Sequence, residues 1–255
     1  MSSNPYAAPK AAVADAATAL QGNFVPAGRV VPAGHGWDWI VAGWNLFKKQ
    51  PGMWIGLVVV AMLVFFVMAI IPFIGSLALM VLGPVFAAGI MLGCKTLDEG
   101  GQLEIGHLFA GFKEKFGTLA AVGAIYLAAQ VVIMLVVMLL TGVSLFTLSS
   151  GGAGGGAAMG LVLSILVMMA LMIPVAMAIW LAPALVMLSD RGAVEAMKES
   201  FAGCLKNIVP FLLYGVVLFV ASIVAAIPLF LGWLVLGPVF AGSIYASYRD
   251  IYFTS

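Results

Sequence analysis

The sequence has little charge. Only 8% of its 255 residues are Asp, Glu, Lys or Arg, while 64% are hydrophobic. A soluble domain carries roughly a quarter charged residues, so this chain cannot cover a water-facing surface and lipid must cover it instead. The net charge of +1 argues against a nucleic-acid partner, because phosphate binding needs clustered Lys and Arg. Cysteine is scarce, with Cys94 and Cys204 the two in the chain. Both fall at charged helix ends assigned below to the cytoplasmic side, where disulfides do not persist. Neither has partners at zinc-ligand spacing, so both read as small buried thiols. No metal and no cofactor is expected.

A secretory leader is not expected either. Residues 1–34 are rich in Ala, Pro and Gly and hold no apolar run. With Pro5, Pro9, Pro26 and Pro32 they are predicted to form a disordered tail, with a weak helix conceivable around Ala11–Leu20. No charged residue lies near the middle of any apolar run. An ionisable group there would mark a functional site by default, so a carrier driven through an Asp, Glu or His relay is not expected. Catalysis is not expected either. His35 and His107 have no neighbouring Ser or Cys with a plausible acid. The carboxylates Asp98, Glu99, Glu104, Glu114, Asp190, Glu195 and Glu199 alternate with Lys and Arg, as solvated helix faces do. Gly152, Gly154 and Ala157 match a dinucleotide-loop spacing, but such a loop needs a preceding strand. Between membrane helices the run reads as a flexible turn.

What the chain does have is apolar sequence at membrane length. A span needs about 20 mainly apolar residues. Six segments qualify: Met53–Ile71, Ile74–Leu92, Leu119–Leu140, Leu161–Met187, Ile208–Ile227 and Phe230–Tyr248. Pro72 and Pro228 mark two hairpin turns, and the run from Ser149 to Gly156 marks the third. All eleven Lys and Arg fall in the N-terminal region, the two loops between hairpins, or the C-terminus. Short loops rich in these residues stay in the cytoplasm, so both termini are predicted to be inside.

The chain also reads as three copies of one unit, about residues 35–100, 101–190 and 191–255. Each copy opens with a short amphipathic prelude holding an Ala-Gly pair: Ala42-Gly43, Ala110-Gly111 and Ala202-Gly203. Around the pairs, apolar residues recur at helical spacing: Trp37, Ile40, Trp44 and Phe47, then Ile105, Leu108, Phe109, Phe112 and Phe116, then Val194, Met197, Phe201 and Leu205. Such helices suit the cytoplasmic interface. A hairpin follows each prelude. Its second helix reads Val-Leu-Gly-Pro-Val-Phe-Ala at Val81–Ala87 and again at Val235–Ala241, with Pro183 at the matching place in the middle copy. The prolines either shape a bundle or line a central cavity. Gly89 and Gly93, with Ser243 and Ser247 in the third copy, read as close packing within the chain. The middle hairpin is too long for the bilayer and is expected to tilt or to project outward.

The most polar mid-membrane group is Gln130, one helical turn from Tyr126. Tyr214 and Ser222 share a face of the fifth span. These four are the candidate binding residues, either as a patch for a headgroup or substrate or as partners in interhelical hydrogen bonds.

His35-Gly36-Trp37 through Leu46-Phe47-Lys48-Lys49-Gln50-Pro51, then two spans and Phe109-Ala110-Gly111-Phe112, carry a resemblance. The chain resembles a family of proteobacterial multi-pass inner-membrane proteins to which no activity is assigned. More distantly, its plan is similar to the membrane domain of bacterial glycerophosphodiester phosphodiesterases, without the catalytic domain. The expectation is therefore an all-α bundle of six transmembrane helices in three hairpins, each preceded by an interfacial helix, in a bacterial inner membrane. The expected function is a non-enzymatic scaffold that organises lipids or protein partners, itself included as a homo-oligomer. The alternative is a carrier or permease for a lipid or other apolar molecule.

Overall fold

A computed structural model describes residues 22–149 and 154–254, and among these the regular elements are helical, apart from one isolated bridge. The helices are α1 (His35–Lys49), α2 (Pro51–Ala69), α3 (Ile74–Asp98), α4 (Ala110–Glu114), α5 (Phe116–Ser149), α6 (Gly154–Trp180), α7 (Ala182–Ser189), α8 (Ala193–Lys206), α9 (Ile208–Ala226) and α10 (Trp233–Tyr252). A 3₁₀ turn, Ile105–Phe109, leads into α4. The middle prelude is thus a turn and a short helix rather than one continuous amphipathic helix.

Five stretches are long and apolar enough to cross a bilayer: Pro51–Ala69, Ile74–Asp98, Phe116–Phe146, Met159–Ser189 and Ile208–Ala226. The sixth expected segment forms α10. Its lower half carries Ser243, Tyr245, Ser247 and Tyr248 and runs into Arg249 and Asp250, which keeps it outside that group. The turn after Pro72 places Phe73 in the left-handed region, and the turn after Pro228 places Leu229 and Phe230 there. In the middle hairpin the turn at residues 150–153 lies outside the described residues. At 34 residues, α5 is about 50 Å long, well beyond the ~30 Å of hydrocarbon.

The prolines at the three matching places take two forms. Pro84 and Pro238 sit inside the continuous helices α3 and α10. Near Pro183 the helix breaks instead, with Leu181 separating α6 from α7. In a continuous helix the Leu181 N–H would bond to the Met177 carbonyl. Here the Ser200 hydroxyl lies between them, accepting from Leu181 N–H at 2.9 Å and donating to Met177 O at 2.7 Å. A serine of α8 thus satisfies both halves of one opened helical hydrogen bond.

The buried core gathers at the charged end of the bundle, around Trp39, Trp54, Leu97, Leu108, Leu185, Tyr248 and Tyr252. The preludes build it. Helix α1 lies along α10, the 3₁₀ turn and α4 lie along α3, and α8 lies along α6 and α7. Two contacts use the same groups. A Cβ added at Gly43 would collide with the Val239 carbonyl oxygen, and one at Gly111 with the Val85 carbonyl oxygen. These are the valines that follow Pro238 and Pro84 in the two identical heptapeptides. Gly89 and Gly93 both face the Leu103–Leu108 segment, so their spacing serves packing within the chain.

The boundary of the tail needs correction. Residues 1–21, with the Ala11–Leu20 segment, lie outside the described residues. Residues 22–34 are not a disordered tail but pack on the C-terminal end of α10. Phe24 stacks on Tyr252 with ring centroids 5.9 Å apart and bridges to Phe253. Val31 is buried, and its N–H donates to Asn207 Oδ1 at 2.8 Å. The Pro- and Gly-rich segment has no core of its own. It is ordered by contacts more than 170 positions away in sequence, which local composition does not register.

Candidate functional site

Two regions concentrate functional geometry. The first is a polar network at the charged end. Asp250, at the foot of α10, accepts from three groups: Arg29 Nη2 at 2.7 Å, Trp39 Nε1 at 2.8 Å and, with its Nδ1 2.7 Å away, His35. Alongside, Asp98 at the end of α3 accepts from Arg249 Nη1 at 3.0 Å and Tyr245 hydroxyl at 3.2 Å. Lys49 Nζ donates to the Leu97 carbonyl at 2.9 Å, a favourable cation at the end of a helix. A cavity of about 810 Å³ opens among Arg29, Asn45, Lys49, Asp98, Arg249 and Asp250. Its cations are answered by carboxylates or carbonyls, so the network ties the N-terminal segment, α1, α3 and α10 into one body.

The second region is an apolar cavity of about 590 Å³ between α6 and α9, with Cys204 of α8 in its lining. Its walls include Ile173, Met177 and Trp180 on one side, Phe211, Gly215 and Leu218 on the other, and Cys204 at the charged end. Trp180 packs edge-on against Phe211, Tyr214 and Phe240. Its Nε1 is buried and has no hydrogen-bond partner among the described residues. Burial pushes the Cys204 thiol up to about 12, against a smaller opposing effect of the Ser200 hydrogen bond. The thiolate is the nucleophile and the metal ligand, so Cys204 is held in its unreactive form.

The structure divides the four candidate binding residues. Tyr214 lines the apolar cavity, and its hydroxyl is 2.7 Å from Ser243 Oγ. That bond joins α9 to α10. Ser222 turns back on its own helix and donates to the Leu218 carbonyl at 2.7 Å, so it does not join Tyr214 in a site. Gln130 and Tyr126 are half-buried on α5, away from the cavity lining. The residues that pattern reading missed are Trp180 and Gly215. Both sit in apolar helices whose composition looks the same on every face, so no periodicity singles them out.

No family profile matches the chain, and no solved structure matches it. Over 204 residues the chain is 27% identical to a probable inner membrane protein of Burkholderia thailandensis, covering 76% of this chain and 75% of that one. With five helices of membrane length, the chain is an integral, all-helical membrane protein, similar over three quarters of its length to an inner-membrane protein.

Proposed function

We propose that the protein is a non-enzymatic organiser of membrane lipids or protein partners in a bacterial inner membrane. In this reading α10 is the sixth span, both termini are cytoplasmic, and the three prelude-and-hairpin units form a closed ring. Each prelude rests on the second helix of the preceding unit, and the first rests on that of the third. The matching seats of Gly43 on Val239 and Gly111 on Val85 support that ring. Among the described residues Lys and Arg gather at one end of the bundle, which supports the orientation.

One observation carries the organiser reading. Four of the five membrane-length helices bury only 6–17% of their apolar windows within the protein. Their side chains instead face the bilayer, with Leu63, Leu135, Leu166 and Leu212 all exposed. Between apolar helices and apolar lipid tails there is no hydrophobic preference. Spans this open are therefore surfaces for lipids or neighbouring helices. The α6–α9 cavity favours a second reading, a carrier that takes an apolar molecule from the bilayer.

Native mass spectrometry of the protein released directly from its own membranes tests the proposal. Lipid or a protein partner retained at fixed stoichiometry is expected. Release of the bare monomer alone would overturn the organiser reading. Exchange of a retained molecule between two vesicle populations would favour the carrier.

A further inference from the structure

We infer that the α6–α9 cavity is the seat of one acyl chain of an anionic glycerophospholipid of the cytoplasmic leaflet. The inference rests on the lipid-organising reading and gives it a site.

Depth is the first argument. The α9 wall runs from Ile208 to Leu218, ten helical rises and therefore about 15 Å at 1.5 Å per residue. That is half of a ~30 Å hydrocarbon core, the reach of one leaflet. The wall begins at the charged end of the bundle, where α8 meets α9, so the cavity occupies the leaflet adjoining the Lys- and Arg-rich loops.

The lining is the second argument. Ile173, Met177, Phe211, Leu212 and Leu218 offer hydrocarbon and aromatic contact. Ile173, Ile208 and Leu212 are exposed at its rim, so it opens sideways to lipid. The volume falls in the ~300–1,000 Å³ range of small-molecule sites. Gly215 helps to make the room, since a Cβ added there meets nothing within 4 Å.

Charge is the third argument, and it selects the headgroup. Just before α8, Arg191 lies 2.9 Å from Glu195 and 3.3 Å from Glu199. Lys198 and Lys206 have no carboxylate partner among the described residues, and both are exposed. Lys206 donates to the Ala27 and Gly28 carbonyls, so at the charged end of the cavity Lys198 is the cation left without a partner among the described residues, worth roughly 1 kcal/mol toward an anionic leaflet.

The test uses the full chain reconstituted in phosphatidylcholine nanodiscs doped with palmitoyl-oleoyl-phosphatidylglycerol and analysed by native mass spectrometry. One phosphatidylglycerol per chain is expected to survive release. Gly215→Phe fills the cavity from within and should reduce that retention at least ~tenfold. Val216→Phe, one residue along on the exposed face, should leave it intact. Helical circular dichroism and a monodisperse elution profile confirm that both variants fold. Equal retention by wild type and Gly215→Phe would overturn the site, as would equal loss in both variants. If the wild type retains a protein partner but no phosphatidylglycerol, the seat fails and the organiser reading stands. If it retains neither, both fail.

Discussion

Arg29 Nη2 lies 2.7 Å from Asp250 Oδ1, joining residues 221 positions apart in the chain. The same carboxylate takes the Trp39 indole N–H and faces His35 Nδ1. Asp250 thereby fastens the N-terminal segment and α1 to the last helix. Its side chain is 17% exposed, while that of Arg29 is 36% exposed, so solvent weakens the arginine pair. The bonds to the two ring nitrogens carry more of the effect.

Asp250→Ala is expected to destabilise the protein by about 2–3 kcal/mol, because it strands the buried Trp39 N–H and removes the charge-assisted bonds. Arg29→Ala should cost about 1 kcal/mol or less. Thermal unfolding in detergent checks the order. An Arg29→Ala loss larger than that of Asp250→Ala would contradict it.

The two heptapeptides make a paired prediction. Gly43 and Gly111 each meet a valine carbonyl where a Cβ has no room, and backbone on both sides leaves nothing flexible to give way. Gly43→Ala and Gly111→Ala should each cost about 1–3 kcal/mol as overpacking. Gly56→Ala in α2 has open space around it and should be neutral or slightly stabilising through helix propensity. Three similar melting temperatures would mean that the glycine seats do not decide the packing.

Which parts were legible in the sequence follows from which interactions are local. Spans depend on runs of about 20 apolar residues, so α2, α3, α5 and α9 were readable at once. The hairpin turns were readable from Pro72 and Pro228 because each falls at the end of an apolar run of membrane length, whereas Pro84 and Pro238 sit inside continuous helices. Residues 22–34 were misread because Val31 and Phe24 take their order from Asn207 and Tyr252. The α6–α7 break was not read, since Leu161–Met187 is one continuous apolar run with Pro183 inside it. Ser200 reaches Leu181 from another helix, and no pattern within either segment records that. Of the candidates singled out in the sequence, Tyr214 falls in the cavity lining, beside Gly215, which has no side chain to mark it in a pattern.

Ser200 and Ser222 are both serines in helices with opposite roles. Ser200 satisfies a buried N–H and a carbonyl left open by the break. Ser200→Ala leaves both unpaired and should cost about 2–3 kcal/mol. Ser222 bonds a Leu218 carbonyl in its own helix, so Ser222→Ala should change stability by no more than about 0.5 kcal/mol. Equal effects in thermal unfolding would show that the hydroxyl does not support the break.

Glu199 predicts a pH dependence. Burial pushes its carboxyl above the ordinary value of 4.5; Arg191 opposes the shift and Glu195 adds to it. The Arg191 Nε atom is 3.3 Å from Glu199 Oε2, yet neither atom has a hydrogen-bond partner among the described residues, which leaves the ionised form poorly compensated. A folded-state pKa above the unfolded one means that the folded chain holds this proton more tightly. The associated stability is present below about pH 4.5 and is lost as pH rises through the folded value. Glu199→Gln removes this titration, so its melting temperature should fall less than that of the wild type between about pH 4 and about pH 7. Unfolding followed in detergent across that range reads the difference in slope. Parallel profiles would place the Glu199 pKa at its ordinary value and remove burial as the cause.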